Sequence, residues 1–348
     1  MRMVLLLYFI LSTVQFAIAQ NDFEKVINTT TRSIKKDIRL EFSDKSGNTA
    51  LLPISVIKGQ NKSPVFAIVA GVHGYEYPPI IATQELMSEI DSKELNGTLI
   101  IIPMANTASF YTRTPYINPL DEKNLNNAFP GKVDGSITEQ IAYFITTHII
   151  SISDVFLDIH GGDACEDLIP FVCYYNNLKK PDQTAQAKKL SERSGFKYVV
   201  SYPYTITSEE PAKYAFKQAV QDGKTALSME CGKLGNVQEE NVQLIKKGVY
   251  NMLDTVEMYT NSTEALKHLT YCNQQTYVTA NEKGIFYSDL KAGDKVIKGD
   301  IVGYTTDEFG SILEKYKAPM TGTILYKLAT PPINKNETVM CISVCEEY

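Results

Sequence analysis

The segment VFAIVA, Val65 to Ala70, constrains the fold most strongly, because it is apolar at every position. A strand that is covered on both faces shows such a continuous run, whereas a half-exposed strand alternates apolar and polar residues. Similar segments alternate with helical patterns from about residue 38 to residue 259, which favours an α/β sheet. Strands are predicted at Val65–Ala70, Thr98–Pro103, Val155–Ile159, Leu168–Tyr174, Tyr198–Tyr202 and Thr225–Met229, and helices at Pro79–Ile90, Ser136–Ile150, Thr184–Ser194, Pro211–Gln221 and Val237–Met258.

The character of the sequence changes after about Leu269. Turns that carry glycine or aspartate follow one another every several residues, and no helical period is present, which indicates a small all-β module. We therefore expect a catalytic domain over residues 20–268 and a C-terminal β domain over residues 269–348.

The first twenty residues, MRMVLLLYFILSTVQFAIAQ, have a basic start, an apolar stretch, and small residues at Ala17 and Ala19. This pattern is typical of a cleaved secretory signal over residues 1–19. The apolar run is shorter than the ~20 residues of a spanning helix, so we expect no stable membrane insertion after cleavage. The expected location is secreted or periplasmic. Six cysteines could pair there, and their pairing is left open.

The net charge of the chain is -6 at pH 7, and its Lys and Arg residues are scattered along the sequence. Nucleic-acid-binding proteins concentrate basic residues on one face, so nucleic acid is not expected as a partner.

Two histidines follow apolar strands at glycine-bearing turns. His73 and Glu76 come three residues apart after the first strand, and His160 ends the segment VFLDIHGG. Each histidine alone also fits a structural role. Together, two His and one Glu form an established ligand set for catalytic zinc, and strand ends form the ligand-binding crevice of open α/β sheets. Glu230 ends another strand there and is a candidate general base, while Asp158 projects to the side of His160 and could orient it.

The motifs GVHGYE, NPLDEKNLNNAFPG, LDIHGGD and SMECG, in this order, resemble the succinylglutamate desuccinylase/aspartoacylase family, which is related to the zinc carboxypeptidases. The resemblance implies a mixed-sheet, zinc-carboxypeptidase-like α/β catalytic domain followed by a small barrel-like β domain. It also implies one Zn²⁺ per chain, held by His73, Glu76 and His160. The implied activity is cleavage of an N-acyl amino acid at its amide by a zinc-activated water, with Glu230 as general base.

The resemblance extends to the loop that follows the second predicted strand. Arg113 resembles the family arginine that polarises the scissile carbonyl. Asn126 and Asn127 occupy the place where the family usually has an Asn-Arg pair that binds a substrate carboxylate, and an amide cannot replace the charged fork of Arg. The loss of this Arg therefore predicts a preference for substrates that are neutral at that end, unless Lys123 or Lys132 supplies the charge.

Two other functions stay open from the sequence. One is a secreted metallocarboxypeptidase that acts on short peptides or cell-wall fragments. The other is a zinc-binding protein without turnover, against which the presence of Glu230 argues. The sequence leaves the acyl group, the amine and the oligomeric state undetermined.

Overall fold

Strands and helices alternate through most of the chain, whose computed structural model describes residues 22–260, 266 and 268–347. The strands are β1 (Ile34–Ser43), β2 (Thr49–Lys58), β3 (Val65–Ala70), β4 (Thr98–Ile102), β5 (Val155–His160), β6 (Glu166–Leu168), β7 (Phe171–Asn176), β8 (Tyr198–Pro203), β9 (Thr225–Glu230), β10 (Thr270–Thr279), β11 (Gly284–Tyr287), β12 (Lys295–Val296), β13 (Ile301–Thr306), β14 (Ile312–Lys317), β15 (Gly322–Leu328), β16 (Pro332–Ile333) and β17 (Thr338–Glu347). The helices are α1 (22–28), α2 (Tyr77–Glu89), α3 (Thr107–Thr112), α4 (Ile137–Phe144), α5 (Pro181–Arg193), α6 (Ala215–Gln221) and α7 (Glu239–Thr255).

A large mixed sheet runs through the described residues in the order β1-β2-β4-β3-β5-β9-β7-β8-β10-β17-β15-β12, with β6 paired to β15. Its centre, β4-β3-β5-β9, is parallel, whereas β7 runs antiparallel to β9. A second, antiparallel sheet has the order β14-β13-β11-β16. The predicted fold class, a mixed α/β sheet with a smaller β unit, is confirmed.

Helices cover both faces of the parallel strands, as the continuous apolar runs predicted. On β3, Phe66 and Ile68 belong to the same core cluster as side chains of α2 and α7. The alternate residues Ala67 and Val69 belong to a core cluster with side chains of α4 and α6. Because strand side chains alternate between faces, a strand covered on both sides must be apolar throughout.

Several predicted elements differ from the observed ones in their bounds, and three of these differences have a clear local cause or form. The strand expected at Leu168–Tyr174 is divided into β6 and β7, and the second of these begins directly after Pro170, which has no N–H for a ladder hydrogen bond. The helix expected to run to Ile150 leaves α-helical geometry after Phe144 and continues as a π-helical turn. The helix expected from Pro211 begins only at Ala215, because Lys213 forms a β-bridge with Phe129.

The C-terminal strands contribute to both sheets. β10 pairs in parallel with β8 and antiparallel with β17, so the large sheet continues past residue 269. Cys272 and Cys345, which face each other in that β10–β17 pairing, form a disulfide. The smaller sheet packs on its own apolar cluster around Phe286 and Val302. The domain boundary between residues 268 and 269 stays a prediction, as does the signal peptide, which lies outside the described residues.

No helix in the described part of the chain combines the length and the apolar character needed to cross a bilayer.

Candidate metal centre and catalytic cleft

A tight turn after β3 carries the first two candidate ligands. Gly71 opens the turn with φ 64°, and a Cβ there would come within 3.0 Å of the Met104 Cα, so both conformation and space favour glycine. His73 follows in the turn, and Glu76 is the N-cap residue of α2. Proline at the start of α2 fixes the helix entry and with it the position of the Glu76 side chain.

His160 is the last residue of β5, one position further into the strand than the sequence predicted. The reason is that β5 stays paired with β9 up to the register pair His160 and Glu230. The loops beyond these strands remain joined, because Cys231 N donates to His160 O at 2.9 Å and Gly162 N donates to Gly232 O at 2.8 Å.

The three candidate ligands meet around the carboxylate of Glu76. His73 Nδ1 lies 2.6 Å from Glu76 Oε1, and His160 Nδ1 lies 3.1 Å from Glu76 Oε2. All three side chains are buried, and one ligand atom from each lies within 4.8 Å of the others. Burial opposes the charge on Glu76, but the two imidazoles outweigh it and lower the pKa of this carboxyl to about 2.

The outward nitrogen of each imidazole meets an oxygen. His160 Nε2 lies 3.2 Å from Asp158 Oδ1, and His73 Nε2 lies 3.2 Å from Asn124 Oδ1. An oxygen that accepts a hydrogen bond from Nε2–H would leave the lone pair of Nδ1 available to an ion bound between the rings and Glu76. This is the arrangement that supports metal-binding histidines in other proteins.

The donor set fits a metal ion. Two imidazole nitrogens and one carboxylate are the ligands of several hydrolytic zinc sites, which keep a further position for water or substrate. Among the described residues, the ion-pair partners of the buried Glu76 carboxylate are the two imidazoles and no Lys or Arg, so a cation would complete the cluster. The His73–Glu76–His160 cluster is therefore compatible with a metal site.

Glu230 lies beside this cluster on the neighbouring strand. It is the register partner of His160 across β5 and β9, and register partners in a parallel pair face the same side of the sheet. Its carboxylate forms no hydrogen bond or ion pair with any described residue, although it is only partly exposed. Burial and, less strongly, the charge of Glu76 raise the pKa of Glu230 to about 8.

Arg113 is the C-cap residue of α3 and has φ 54°, in the left-handed region. Its side chain is exposed and forms no ion pair within the described part of the chain. The helix that it caps contacts the turn of His73, because Gly74 N donates to Ser109 Oγ of α3 at 3.2 Å. Arg113 thus ends a helix next to the ligand turn, and its predicted catalytic role stays a prediction.

The loop that follows contains the predicted substrate residues. Asn126 and Asn127 form a single 3-10 turn, in which Asn126 is half-buried and Asn127 is exposed. Asn126 N donates to Asn124 Oδ1 at 2.7 Å, while the buried Asn126 Oδ1 has no partner among the described residues. Asn124 thereby connects this turn to His73.

The two lysines that could replace the missing arginine are engaged elsewhere. Lys123 Nζ lies 2.7 Å from Glu139 Oε2, and Lys132 Nζ lies 3.5 Å from Glu139 Oε1. Glu139 also accepts from Ser136 N at 3.0 Å in the capping box of α4. These contacts argue against either lysine supplying the charge of the missing arginine.

Sequence reasoning missed four residues that the structure brings to the cleft. Asn124 lies inside the NPLDEKNLNNAFPG motif, and Asp163 is the last residue of LDIHGGD, so both belong to motifs that carry the family resemblance. Tyr116 packs edge-on against His73 at 5.5 Å between ring centres, and its N–H donates to Asp163 Oδ2 at 3.2 Å. Glu166, at the start of β6, carried no signal in the sequence, because it reaches the site through the turn after His160.

Comparison with known proteins agrees with the geometry. A family model described as the succinylglutamate desuccinylase/aspartoacylase catalytic domain matches residues 62–256. N-alpha-acetyl-L-2,4-diaminobutyric acid deacetylase of Halomonas elongata is 28% identical over 300 residues, which cover 84% of this chain and 85% of that protein.

Solved structures show the same fold. The product-bound ectoine utilization protein EutE of Ruegeria pomeroyi superposes with a TM-score of 0.81 at 23% identity, covering 91% of this chain and 97% of that one. A succinylglutamate desuccinylase from a Silicibacter species gives a TM-score of 0.80 at 23% identity, with coverages of 90% and 95%. With its catalytic domain matched over residues 62–256, the chain belongs to the succinylglutamate desuccinylase/aspartoacylase family.

Proposed function

We propose that this protein is a zinc-dependent deacylase that hydrolyses the amide bond of a small N-acyl amino acid. The observation that carries the proposal is the unpaired carboxylate of Glu230 beside the buried His73–Glu76–His160 cluster. The family membership supports amide hydrolysis, and the curated relative is named as a deacetylase of an acetylated amino acid.

The ligand cluster would hold one zinc ion per chain through His73, Glu76 and His160. When bound, zinc lowers the pKa of water to near ~7 and polarises a carbonyl oxygen. Asp158 and Asn124 hold the imidazole rings so that Nδ1 of each faces inward. The chain therefore keeps its ligands preorganised through contacts on both sides of each ring.

Glu230 is the proton carrier in this proposal. Water attacks the amide carbon, and its proton passes to the Glu230 carboxylate as the new C–O bond forms. The same proton then passes to the nitrogen as the C–N bond breaks, so the products are an amine and a carboxylic acid, which becomes a carboxylate by releasing the second proton of the water. The absence of any described partner leaves both oxygens of Glu230 free for this transfer, and its raised pKa makes it a stronger base than an exposed glutamate.

Arg113 is proposed to stabilise the developing oxyanion from the end of α3, next to the ligand turn. Its guanidinium is exposed and unpaired among the described residues, so it can reorient toward a substrate carbonyl. Removal of a single oxyanion donor costs about 3 kcal/mol in other enzymes, and we expect a comparable loss of turnover in Arg113→Ala.

The proposal is tested by metal analysis combined with a screen of N-acyl amino acids and short peptides for released amine. We expect about one zinc per chain, loss of that zinc in His73→Ala and His160→Ala, and release of amine from N-acyl amino acids. Glu230→Gln should keep zinc and fold while turnover falls by roughly 10²-fold or more. Full activity of Glu230→Gln would remove this residue from the mechanism, and full zinc content in both histidine variants would place the metal elsewhere.

Export is a separate part of the proposal. The basic and apolar start of the sequence supports it, and so does the Cys272–Cys345 disulfide, because such bonds persist mainly in oxidising compartments. The corresponding location is secreted or periplasmic.

A further inference from the structure

Two adjacent acids in β6 have opposite environments. Successive residues of a strand face opposite sides, so Glu166 and Asp167 project away from each other. Asp167 has a cationic partner and a backbone partner, since it accepts from Lys233 Nζ at 3.0 Å and from Ala292 N at 2.9 Å. Its register partner on β15 is Lys327, a second cation.

Glu166 has no cationic partner among the described residues. Its register partner on β15 is the apolar Leu328, and it forms no ion pair with any residue that the structure describes. The one side-chain hydrogen bond to its carboxylate comes from Asp163 N, at 3.3 Å to Oε2. A partly buried carboxylate without a cation is costly, and Glu166 is such a group whereas its neighbour Asp167 is not.

The backbone of Glu166 is held firmly at the cleft. Glu166 N donates to Asp163 O at 3.0 Å, and Leu234 N donates to Glu166 O at 2.9 Å, which ties β6 to the turns after β5 and β9. Asp163, which donates to the Glu166 carboxylate, also accepts from Tyr116 N at 3.2 Å, and the Tyr116 ring packs against His73 at 5.5 Å between ring centres. The Glu166 carboxylate is therefore linked to the ligand cluster through Asp163 and Tyr116.

A divalent metal would not remove this imbalance. Such an ion would be held by His73, Glu76 and His160, and Glu166 would still lack a partner. Lys123 and Lys132, which lie on the loop that carries Asn127, form ion pairs with Glu139 of α4. A cationic group on the ligand would give Glu166 the partner that these residues do not supply.

We propose that Glu166 is a specificity-determining residue, which binds a positively charged amine in the amino acid part of the substrate. This inference rests on the proposed deacylase function. The substrate class is an N-acyl diamino acid, with one amino group acylated and the other free. The curated relative, at 28% identity, is named for such a compound, an acetylated 2,4-diaminobutyric acid. The free amine of this compound is cationic at neutral pH, like the side chain of lysine.

The test compares two substrates that differ only in this charge. N-α-acetyl-L-2,4-diaminobutyrate carries an ammonium group where N-acetyl-L-norvaline carries a methyl group of similar size. We expect the wild type to prefer the cationic substrate in kcat/KM by roughly 10- to 150-fold, which is the range of a hydrogen bond to a charged group. In Glu166→Gln this ratio should fall to near unity, and any general loss of activity cancels in the ratio.

Asp167→Asn is the matched control, because it removes the neighbouring charge on the opposite side of β6 and should leave the ratio unchanged. If Glu166→Gln fails to fold, Glu166→Asp, which keeps the charge on a shorter stem, should give a ratio between unity and the wild-type value. A wild-type ratio near or below unity overturns the inference. So does a ratio in Glu166→Gln as large as that of the wild type or, if that variant does not fold, such a ratio in Glu166→Asp.

Calorimetry with the product amino acids separates failure of the inference from failure of the proposed function. If the wild type hydrolyses neither substrate nor any other N-acyl amino acid of the screen, the deacylase proposal fails, and the binding of L-2,4-diaminobutyrate and L-norvaline decides about Glu166. Selective binding of the diamino acid that is lost in Glu166→Gln supports the inference. Equal affinity for the two amino acids, or selectivity that is kept in Glu166→Gln, overturns it.

Discussion

The outward contacts of the two candidate histidine ligands allow a graded prediction of metal affinity. His160 Nε2 lies 3.2 Å from the carboxylate of Asp158, which is fully buried, and His73 Nε2 lies 3.2 Å from the neutral amide oxygen of Asn124. The Asn124 contact is a hydrogen bond, whereas the Asp158 contact is an ion pair without hydrogen-bond geometry, so its effect rests on a buried charge. We therefore expect Asp158→Asn to weaken zinc binding more than Asn124→Ala does.

The magnitudes follow from the type of contact. A neutral hydrogen bond contributes ~0.5 to 1.5 kcal/mol, so Asn124→Ala should weaken zinc binding about 2- to 13-fold. A contact to a charged group contributes ~1.5 to 3 kcal/mol, so Asp158→Asn should weaken it roughly 13- to 150-fold. The upper part of this range agrees with the ~10- to 100-fold effect of supporting residues at other metal sites.

The assay is a zinc titration of metal-depleted protein in competition with a chromophoric chelator, with circular dichroism to establish that each variant is folded. Asp154→Asn is the control, because Asp154 Oδ2 accepts from Val65 N at the opposite end of β5 and should leave zinc affinity unchanged. The reasoning is refuted if folded Asp158→Asn binds zinc as tightly as the wild type, or if Asn124→Ala has the larger effect.

Three further outcomes are expected. Asn127→Arg should raise kcat/KM for acyl amino acids with an extra carboxylate by about 10-fold or more relative to their amides, and an unchanged ratio would show that this carboxylate is recognised elsewhere. Glu139→Gln should destabilise the fold by about 1 to 2 kcal/mol at neutral pH, through its contacts with Lys123 and the α4 cap. The hydrogen bond from Lys123 is the largest influence on Glu139 and lowers the pKa of this carboxyl to about 2, from 4.5 in the unfolded chain. Its stabilisation is therefore complete above about pH 4.5 and is lost as the pH falls toward 2, so melting curves of wild type and variant should converge in acid; a constant gap would contradict this. N-terminal sequencing of exported protein should begin near Gln20, and recovery of Met1 would overturn the signal-peptide prediction.

Sequence reasoning found the central strands because their signal is local. A segment such as VFAIVA must be covered on both faces wherever its neighbours come from, so its type could be read without knowing its partners. Boundaries that depend on distant contacts were missed. The helix start at Ala215 is an example, since it is delayed by the bridge between Lys213 and Phe129.

The candidate metal ligands were also within reach of the sequence. His73 and Glu76 are close in the chain, and both they and His160 come at the ends of strands, which meet at one edge of a parallel sheet. The groups around the ligands were not accessible in this way. Asn124 and Glu166 approach the cluster through loops, and loop conformation depends on contacts that periodicity does not encode.

The sequence by itself determined the α/β alternation, the positions of the strand ends, the family motifs and the departure at Asn127. Only the tertiary structure decided that Cys272 pairs with Cys345, that Lys123 and Lys132 are held by Glu139, and that Glu166 remains without a cation beside the cleft. The physical reason is that periodicity and turn signals follow from neighbours in the chain. The partner of a charge or a thiol depends on which distant segments pack together, and on which side of a strand each residue projects.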